Sequence, residues 1–332
     1  MFFLLYERMA AILTKIKVFT MQTKIFMPLL MLAYCFFPVL EAKVVNKCQT
    51  DVNVYGGYAA IKSEDSVLIP PNSRVVSRLN WTANNVWIMG ASGKIFFPSN
   101  QAYMKLDGWS KVYASDGKFV DRDYLNDLNP SERTDISIHS HTKLKTAFAI
   151  DFELGKNFET NPQKKSPWAF GYLVGVKYMQ MNWESRGGKY NYSSGAVQGT
   201  FPSNLKVIRY SEQLTIPYLG AQAIWQCSPT WRFSCFGKYS GLGYIECRDD
   251  HLLWPKYFTS IHRLANYWVI GFEGVWRYSN KLSANIKYSY DHLNQAIGDT
   301  TVRSSSGTFK LPNTSGVKFS LQTVVIGALY KF

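Results

Sequence analysis

Two short acidic segments are where this sequence could do chemistry. Val120-Asp121-Arg122-Asp123-Tyr124 sets two carboxylates two residues apart. On an extended chain alternate side chains point the same way, so both would crowd one small volume. Like charges held that close push one pKa upward, so one group can keep a proton while its partner stays ionised. Farther on, Cys247-Arg248-Asp249-Asp250-His251 places a carboxylate and an imidazole at the same spacing. A carboxylate beside an imidazole orients the ring, stabilises its protonated form and readies it as a general base. Either pair alone is common on solvated loops. Together they could hold a water between a histidine base and a carboxylate pair.

The elements that must position these groups are strands. Of 332 residues, 46% are hydrophobic and 16% aromatic, yet only 18% are charged, against about 25% in an average soluble domain. No apolar run of about 20 residues follows the N-terminal region, which argues against helical spans. Instead residues 143–154 alternate, with Leu144, Phe148, Ile150, Phe152 and Leu154 on one parity and Lys143, Lys145, Asp151 and Glu153 on the other. Residues 268–278 align Trp268, Ile270, Phe272, Trp276 and Tyr278, and residues 282–291 align Leu282, Ala284, Ile286, Tyr288 and Tyr290. Strands greasy on one face and wet on the other are the signal of a membrane barrel. Residues 317–326 change parity near Val324-Val325, which reads as a bulge. At the C-terminus, Gly327 to Phe332 puts Tyr330 and Phe332 on one face, as an interfacial girdle requires.

Short connections near residues 97–100, 227–230 and 279–281 alternate with long polar stretches near 63–73, 116–140, 186–203, 246–262 and 296–315. Five long loops, with both chain ends on the opposite side, require ten strands. The expected fold is therefore all-β, a ten-stranded antiparallel transmembrane β-barrel with long extracellular loops, and both acidic segments lie in those loops. Ahead of it, Lys24 and the apolar run Met27 to Leu40 read as a signal peptide over residues 1–42, with Leu40-Glu41-Ala42 at its end and Met21 as an alternative start. Residues 43–332 then form one barrel domain. The formal net charge of +14 suits anionic lipid head groups rather than nucleic acid in an exported barrel. Cys48, Cys227, Cys235 and Cys247 match no zinc spacing, and an oxidising compartment permits disulfides without identifying any. His139-Ser140-His141 lacks a further ligand cluster, so no metal and no cofactor is expected. Arg186-Gly187-Gly188 reads as a hairpin turn.

At the two acidic segments the chain resembles the omptin family of outer-membrane proteases, aspartate/histidine endopeptidases. The likeness runs through Gly108-Trp109-Ser110, Val120 to Asp123, Asn129-Pro130, Thr134-Asp135 and His139. It continues through Ser185 to Tyr190, Phe201-Pro202, Pro217 to Gly220 and Lys238 to Gly241, and so covers the mature chain in order. The resemblance implies a ten-stranded barrel in the bacterial outer membrane with its active site in a groove at the extracellular end. It implies that Asp249 and His251 activate a water, while Asp121 and Asp123 bind it and steady the oxyanion, with no acyl-enzyme. Asp135 and His139 match positions lining the groove. Peptide or protein substrates would be cut beside basic residues, drawn by acidic side chains. Glu64 matches one of those acids, through the nearby Ser77-Arg78-Leu79-Asn80-Trp81. Where the other is expected the chain has Cys247, and a neutral thiol relaxes the preference.

The resemblance also implies activation by lipopolysaccharide. At the corresponding stretch, however, Val176, Tyr178, Gln180 and Gln213 stand where basic or polar lipid-phosphate ligands belong. The rival reading from another class is a catalytically silent barrel acting as an adhesin or porin. It accounts for the strands equally well, but not for four acidic-site residues in motif order.

Overall fold

The computed structural model describes residues 48–113, 115–159 and 167–332; the expected signal peptide over residues 1–42 lies outside the described residues. The unit Gln49–Phe332 is built from antiparallel strands. In chain order these are β1 (Gln49–Ile69), β2 (Arg74–Phe97), β3 (Ala102–Lys111), β4 (Ser115–Asp123), β5 (Asp135–Glu159) and β6 (Trp168–Tyr192). β7 (Val197–Gln226), β8 (Trp231–His251), β9 (Lys256–Arg277), β10 (Leu282–Ser304) and β11 (Gly307–Lys331) complete the sheet. Strands adjacent in sequence pair with each other, except that β3 and β4 each pair with β2 and β5 instead, and β1 pairs with both β2 and β11, so the sheet closes into a barrel.

The expected ten strands are eleven, because one stave is interrupted. β3 pairs with the lower parts of β2 and β5, and β4 with their upper parts. The two segments occupy a single position in the ring, broken after Lys111 and resumed at Ser115.

The second correction concerns the loops. Most of the long polar stretches are strand. β7 alone has 30 residues, roughly 100 Å of contour at the strand rise, whereas a membrane crossing needs about 9–11 residues. The stretch near 296–315 pairs from Gly298↔Ser315 up to Ser304↔Gly307 and turns over two residues. A polar sequence extends as a ladder here because its backbone groups are all paired and its alternation continues above the greasy band. Among the described residues, only the segment between Asp123 and Asp135 stays a long loop, and Arg74 fastens it by donating to Asp127 at 2.7 Å and to the Tyr124 carbonyl at 3.1 Å.

The outer face carries the expected apolar band, with Val54, Met89, Leu106, Ile150, Leu219, Ile270, Phe272, Ile286 and Ile326 all exposed. Aromatic side chains bound it on both sides. Trp168, Trp225, Trp231, Trp276, Tyr330 and Phe332 lie toward the chain ends, and Tyr58, Trp87, Tyr239, Trp268 and Tyr290 toward the far rim. Trp231 to Tyr239 along β8 is roughly 25 Å at the strand rise, the height of a barrel's lipid-facing band.

Two strands depart from the alternation that the sequence suggests. In residues 143–154 a register shift between Leu144 and Thr146 flips the alternation. Leu144 is therefore a core residue, while Phe148 to Leu154 keep their outward parity. Near Val324-Val325 no bulge exists: β11 stays in continuous register with β1, Val324 faces out and Val325 in. The outward valine is simply the lipid-facing continuation of the strand.

Candidate active site

The barrel interior changes character at the level of the upper girdle. Above it lies a packed floor: Trp81 stacks on Phe119 at 4.0 Å and on Tyr210 at 5.3 Å, with Trp183 at 6.0 Å. Each such pair adds about 0.5–1.5 kcal/mol beyond its buried area. All four rings are buried. Acidic side chains stand directly on this floor, because the inward row of β4 runs from Phe119 to Asp121 and Asp123, and that of β8 from Ile245 through Cys247 to Asp249 and His251.

Both acidic segments thus lie on strands, where loops were expected. The extended backbone enforces the same-face spacing that the sequence suggested, and rigid neighbours hold it. Asp121 faces Leu79 across β2, and Asp123 faces Asp135 across β5. Ser77 on β2 donates to Asp121 Oδ1 at 3.2 Å. On β8, His251 Nε2 donates to Asp249 Oδ2 at 3.0 Å, and the ring packs against Phe258 at 5.2 Å. This bond leaves the other ring nitrogen to receive a proton. Asp249 is 6% exposed, and its Oδ1 has no partner among the described residues.

β4 and β8 are not neighbours in the ring, yet the two pairs at their upper ends act on each other across the mouth. Their charges register one another. Burial, then the Asp123 charge, pushes Asp121 up to about 7, with Asp249 adding to the rise and His251 opposing it. Asp123 is also raised, by burial and by Asp135. Burial pulls His251 down, but the hydrogen bond and charge of Asp249, together with Asp121, more than reverse this and leave it above its ordinary value. A carboxyl with a raised pKa and an imidazole oriented by its own carboxylate thus act on each other across the mouth.

The remaining expected residues divide. Asp135 belongs to the rim, where its Oδ1 accepts the Ser193 backbone N–H at 2.6 Å. His139 does not line the groove: it is 1% exposed, sandwiched between Phe119 and Phe201. Its Nδ1 donates to the Gly187 carbonyl and its Nε2 accepts from Ser137 Oγ at 2.9 Å; burial lowers its pKa. It is a neutral floor residue. The Arg186-Gly187-Gly188 segment that covers it is a bulged stretch of β6, not a hairpin turn. At Gly188, with φ +127°, a Cβ would stand 2.5 Å from His139 Nδ1.

Glu64 lies apart from the site. It faces outward, accepting from Asn80 Nδ2 at 3.0 Å and lying 3.8 Å from Lys318. The inward residue is its neighbour Asp65, 8% exposed, because the inner row of β1 runs Tyr55, Ala59, Ile61, Ser63 and Asp65. Cys247 is sealed in, 1% exposed, with the Tyr210 hydroxyl 3.3 Å from its sulfur. Burial, then the charges of Asp65 and Glu212, holds its thiol well above the usual range. Sequence reasoning missed Ser77, Asp65 and Glu212. Parity could have found two of them: Asp65 continues the inward row of β1, and Glu212 interrupts the inner apolar row Ile208, Tyr210, Leu214, Ile216.

Residues 47–332 match the model of the Omptin family. Outer membrane protease OmpP of Escherichia coli (strain K12) is 25% identical over 307 residues, covering 89% of this chain and 94% of that protein. Plasminogen activator of Yersinia pestis is 24% identical over 280 residues, 83% of this chain and 87% of that protein. The crystal structure of outer membrane protease OmpT from Escherichia coli aligns with a TM-score of 0.81 at 20% identity, covering 88% of this chain and 99% of that one. At that identity the likeness speaks for the fold.

Proposed function

The chain belongs to the omptin family and is an outer-membrane barrel, and from that premise we propose that it is an endopeptidase of the aspartate/histidine type. The observation that supports the reading is the His251–Asp249 hydrogen bond and its charge interaction with Asp121, above a packed aromatic floor. A water held there loses its proton to the imidazole, whose charge Asp249 stabilises, as it attacks a peptide carbonyl. Asp121 and Asp123 bind that water and, through the proton one of them retains, donate to the developing oxyanion. A buried carboxyl with a raised pKa is suited to the role. The protein relatives named as proteases support the same class.

The site faces the extracellular side in this reading, since the chain ends and short turns lie at the opposite end of the barrel. Peptides and proteins at the cell surface are the substrates, cut beside basic residues, because the mouth is acidic. Lipopolysaccharide is the proposed lipid partner. Val176, Tyr178, Gln180 and Gln213 face outward and offer it no cation, whereas Arg209, Arg248 and Arg263 lie on the same outer surface above the girdle. No cofactor or metal enters the mechanism.

The test is a peptide carrying Arg and Lys, given to protein refolded with and without lipopolysaccharide, with products mapped by mass spectrometry. Cleavage beside a basic residue, increased by the lipid, is expected. No cleavage under either condition, alongside intact cell adhesion or ion conductance, would favour the silent barrel.

A further inference from the structure

The opposite mouth of the barrel, at the chain ends, holds a cavity of about 320 Å³, against the roughly 10–15 Å³ that seats one water. Its charged lining is lopsided, with Arg232, Arg277 and Lys331 set against a single carboxylate, Asp51.

Strand register brings these side chains together. Arg232 stands at the start of β8, Arg277 at the end of β9, Lys331 at the end of β11 and Asp51 near the start of β1. In an antiparallel sheet all four positions fall at one end of the barrel. Arg232 pairs with Val275, two residues from Arg277; Ser283 of β10 pairs with Arg277; and Asp51 pairs with Lys331. The four residues thus share the inner wall of five consecutive strands, β8 through β11 and β1.

None of the three cations has a carboxylate partner or a side-chain hydrogen bond among the described residues, whereas deeper in the barrel Lys105, Lys238 and Lys287 are each held by carboxylates. Three positive charges on one cavity repel each other unless an anion sits among them. Asp51 does not play that part. Although it lies across the strand pair from Lys331, its Oδ1 is buried with no partner among the described residues.

The mouth therefore makes two demands at once. Three donors need an anion, and one buried acceptor needs a hydrogen to accept. A guest that meets both is negative overall and still carries an O–H. Inorganic phosphate keeps one P–OH in both of its ionic forms near neutral pH. Sulfate has the same tetrahedral shape but no such hydrogen, and a phosphate ester sheds its last proton above about pH 6. A guanidinium forks onto two oxygens of a tetrahedral oxyanion, and two of them from adjacent strands can hold different edges of it.

We propose that this mouth is a site for inorganic phosphate, with Arg232, Arg277 and Lys331 donating to its oxygens and Asp51 Oδ1 accepting from its P–OH. The site lies at the end of the barrel away from Asp249 and His251, so the assignment does not rest on the endopeptidase reading.

The test is equilibrium dialysis of the full chain, purified in detergent, against labelled phosphate or labelled sulfate at pH 8 and fixed ionic strength. Wild-type protein should bind one phosphate saturably and prefer it to sulfate by about tenfold or more, since sulfate leaves the Asp51 acceptor unpaired against a negative oxygen. Methyl phosphate, fully ionised at that pH, should compete no better than sulfate; competition equal to that of inorganic phosphate would overturn the assignment in favour of an esterified headgroup. Arg232→Gln and Arg277→Gln should each weaken phosphate binding about tenfold. Lys281→Gln, which removes the same charge from the neighbouring turn but not from the cavity lining, should change it by less than about twofold. Asp51→Asn supplies an amide donor and should erase the preference for phosphate over sulfate. Absence of saturable binding, equal affinity for the two ions in the wild type, or equal losses in the Arg232 and Lys281 variants would overturn the proposal. The comparison of the two ions in the wild type needs no substitution, so it decides the matter even where a variant fails to fold.

Discussion

The two halves of the barrel interior treat charge in opposite ways. Between the girdles, carboxylates are matched with lysines: Lys238 lies 2.7 Å from Asp151 and 2.8 Å from Glu153, Lys105 and Lys287 each lie 3.2 Å from Asp107, and Lys177 pairs with Asp291. Tyr103 and Tyr218 complete those shells by donating to Glu153 and Asp151. At the rim, Asp65, Asp121, Asp123, Asp249 and Glu212 share hydroxyls and one imidazole, and no lysine or arginine ion pair joins any of them among the described residues. The lower network ties the walls of the barrel together around a cavity lined by Lys105, Asp107, Asp151, Glu153, Lys238 and Lys287. The upper one has no such cation, and burial above all raises the pKa values of Asp65, Asp121 and Glu212. Matched charge is a structural device here; in the proposed mechanism, unmatched charge marks where a water and an oxyanion are handled.

The contrast breaks most sharply under substitution. Asp249→Asn should lower kcat by about 10²–10⁴-fold, the range for removing an acid–base partner, with the urea midpoint unchanged or higher. A midpoint that falls with kcat would mean Asp249 holds the fold. Lys238→Met should do the reverse. It strands Asp151 and Glu153 without their cation and should cost about 3–5 kcal/mol of stability, read from urea unfolding in lipid vesicles, with kcat of the folded fraction retained.

A smaller effect comes from pH. Asp65, Asp121 and Glu212 have folded pKa values raised to about 7, about 7 and about 8. At pH values below the ordinary carboxylate range both folded and unfolded chains are protonated, and no penalty arises. As pH rises the unfolded chain ionises first and is favoured, so these groups' contribution is lost between about pH 4 and 8. The urea midpoint should therefore be higher at pH 5 than at pH 8, and Glu212→Gln should flatten the slope. The smallest effect belongs to Glu64→Gln. An outward ion pair at 3.8 Å contributes about 0–1 kcal/mol, and the rate of cleavage beside basic residues should stay within about twofold of the wild type; a collapsed rate with the fold intact would return Glu64 to the site.

Much of this was legible in the sequence, for identifiable reasons. Alternation in 268–278 and 282–291 shows the lipid face because a strand's period is two and no bulge interrupts it there. The same reasoning misplaced Leu144, since one register shift reverses every side chain beyond it. The four rim residues were visible as same-face pairs. The polar stretches that hold them looked like loops because polarity reports the surroundings of a backbone and not its pairing. Alignment by motif assigned Glu64, whereas parity along β1 would have selected Asp65. That Glu212 lies beside Cys247 was hidden, because register is a property of two strands together.

The most direct test of the central claim is a set of three rate constants taken on protein of verified fold. Wild type, His251→Ala and Asp121→Asn would be refolded with lipopolysaccharide, matched for urea midpoint, and compared for kcat on the same basic peptide. If the water is handled between Asp249–His251 and Asp121–Asp123, both variants lose activity about 10²-fold or more. A variant of either residue that keeps wild-type kcat would contradict the site as drawn.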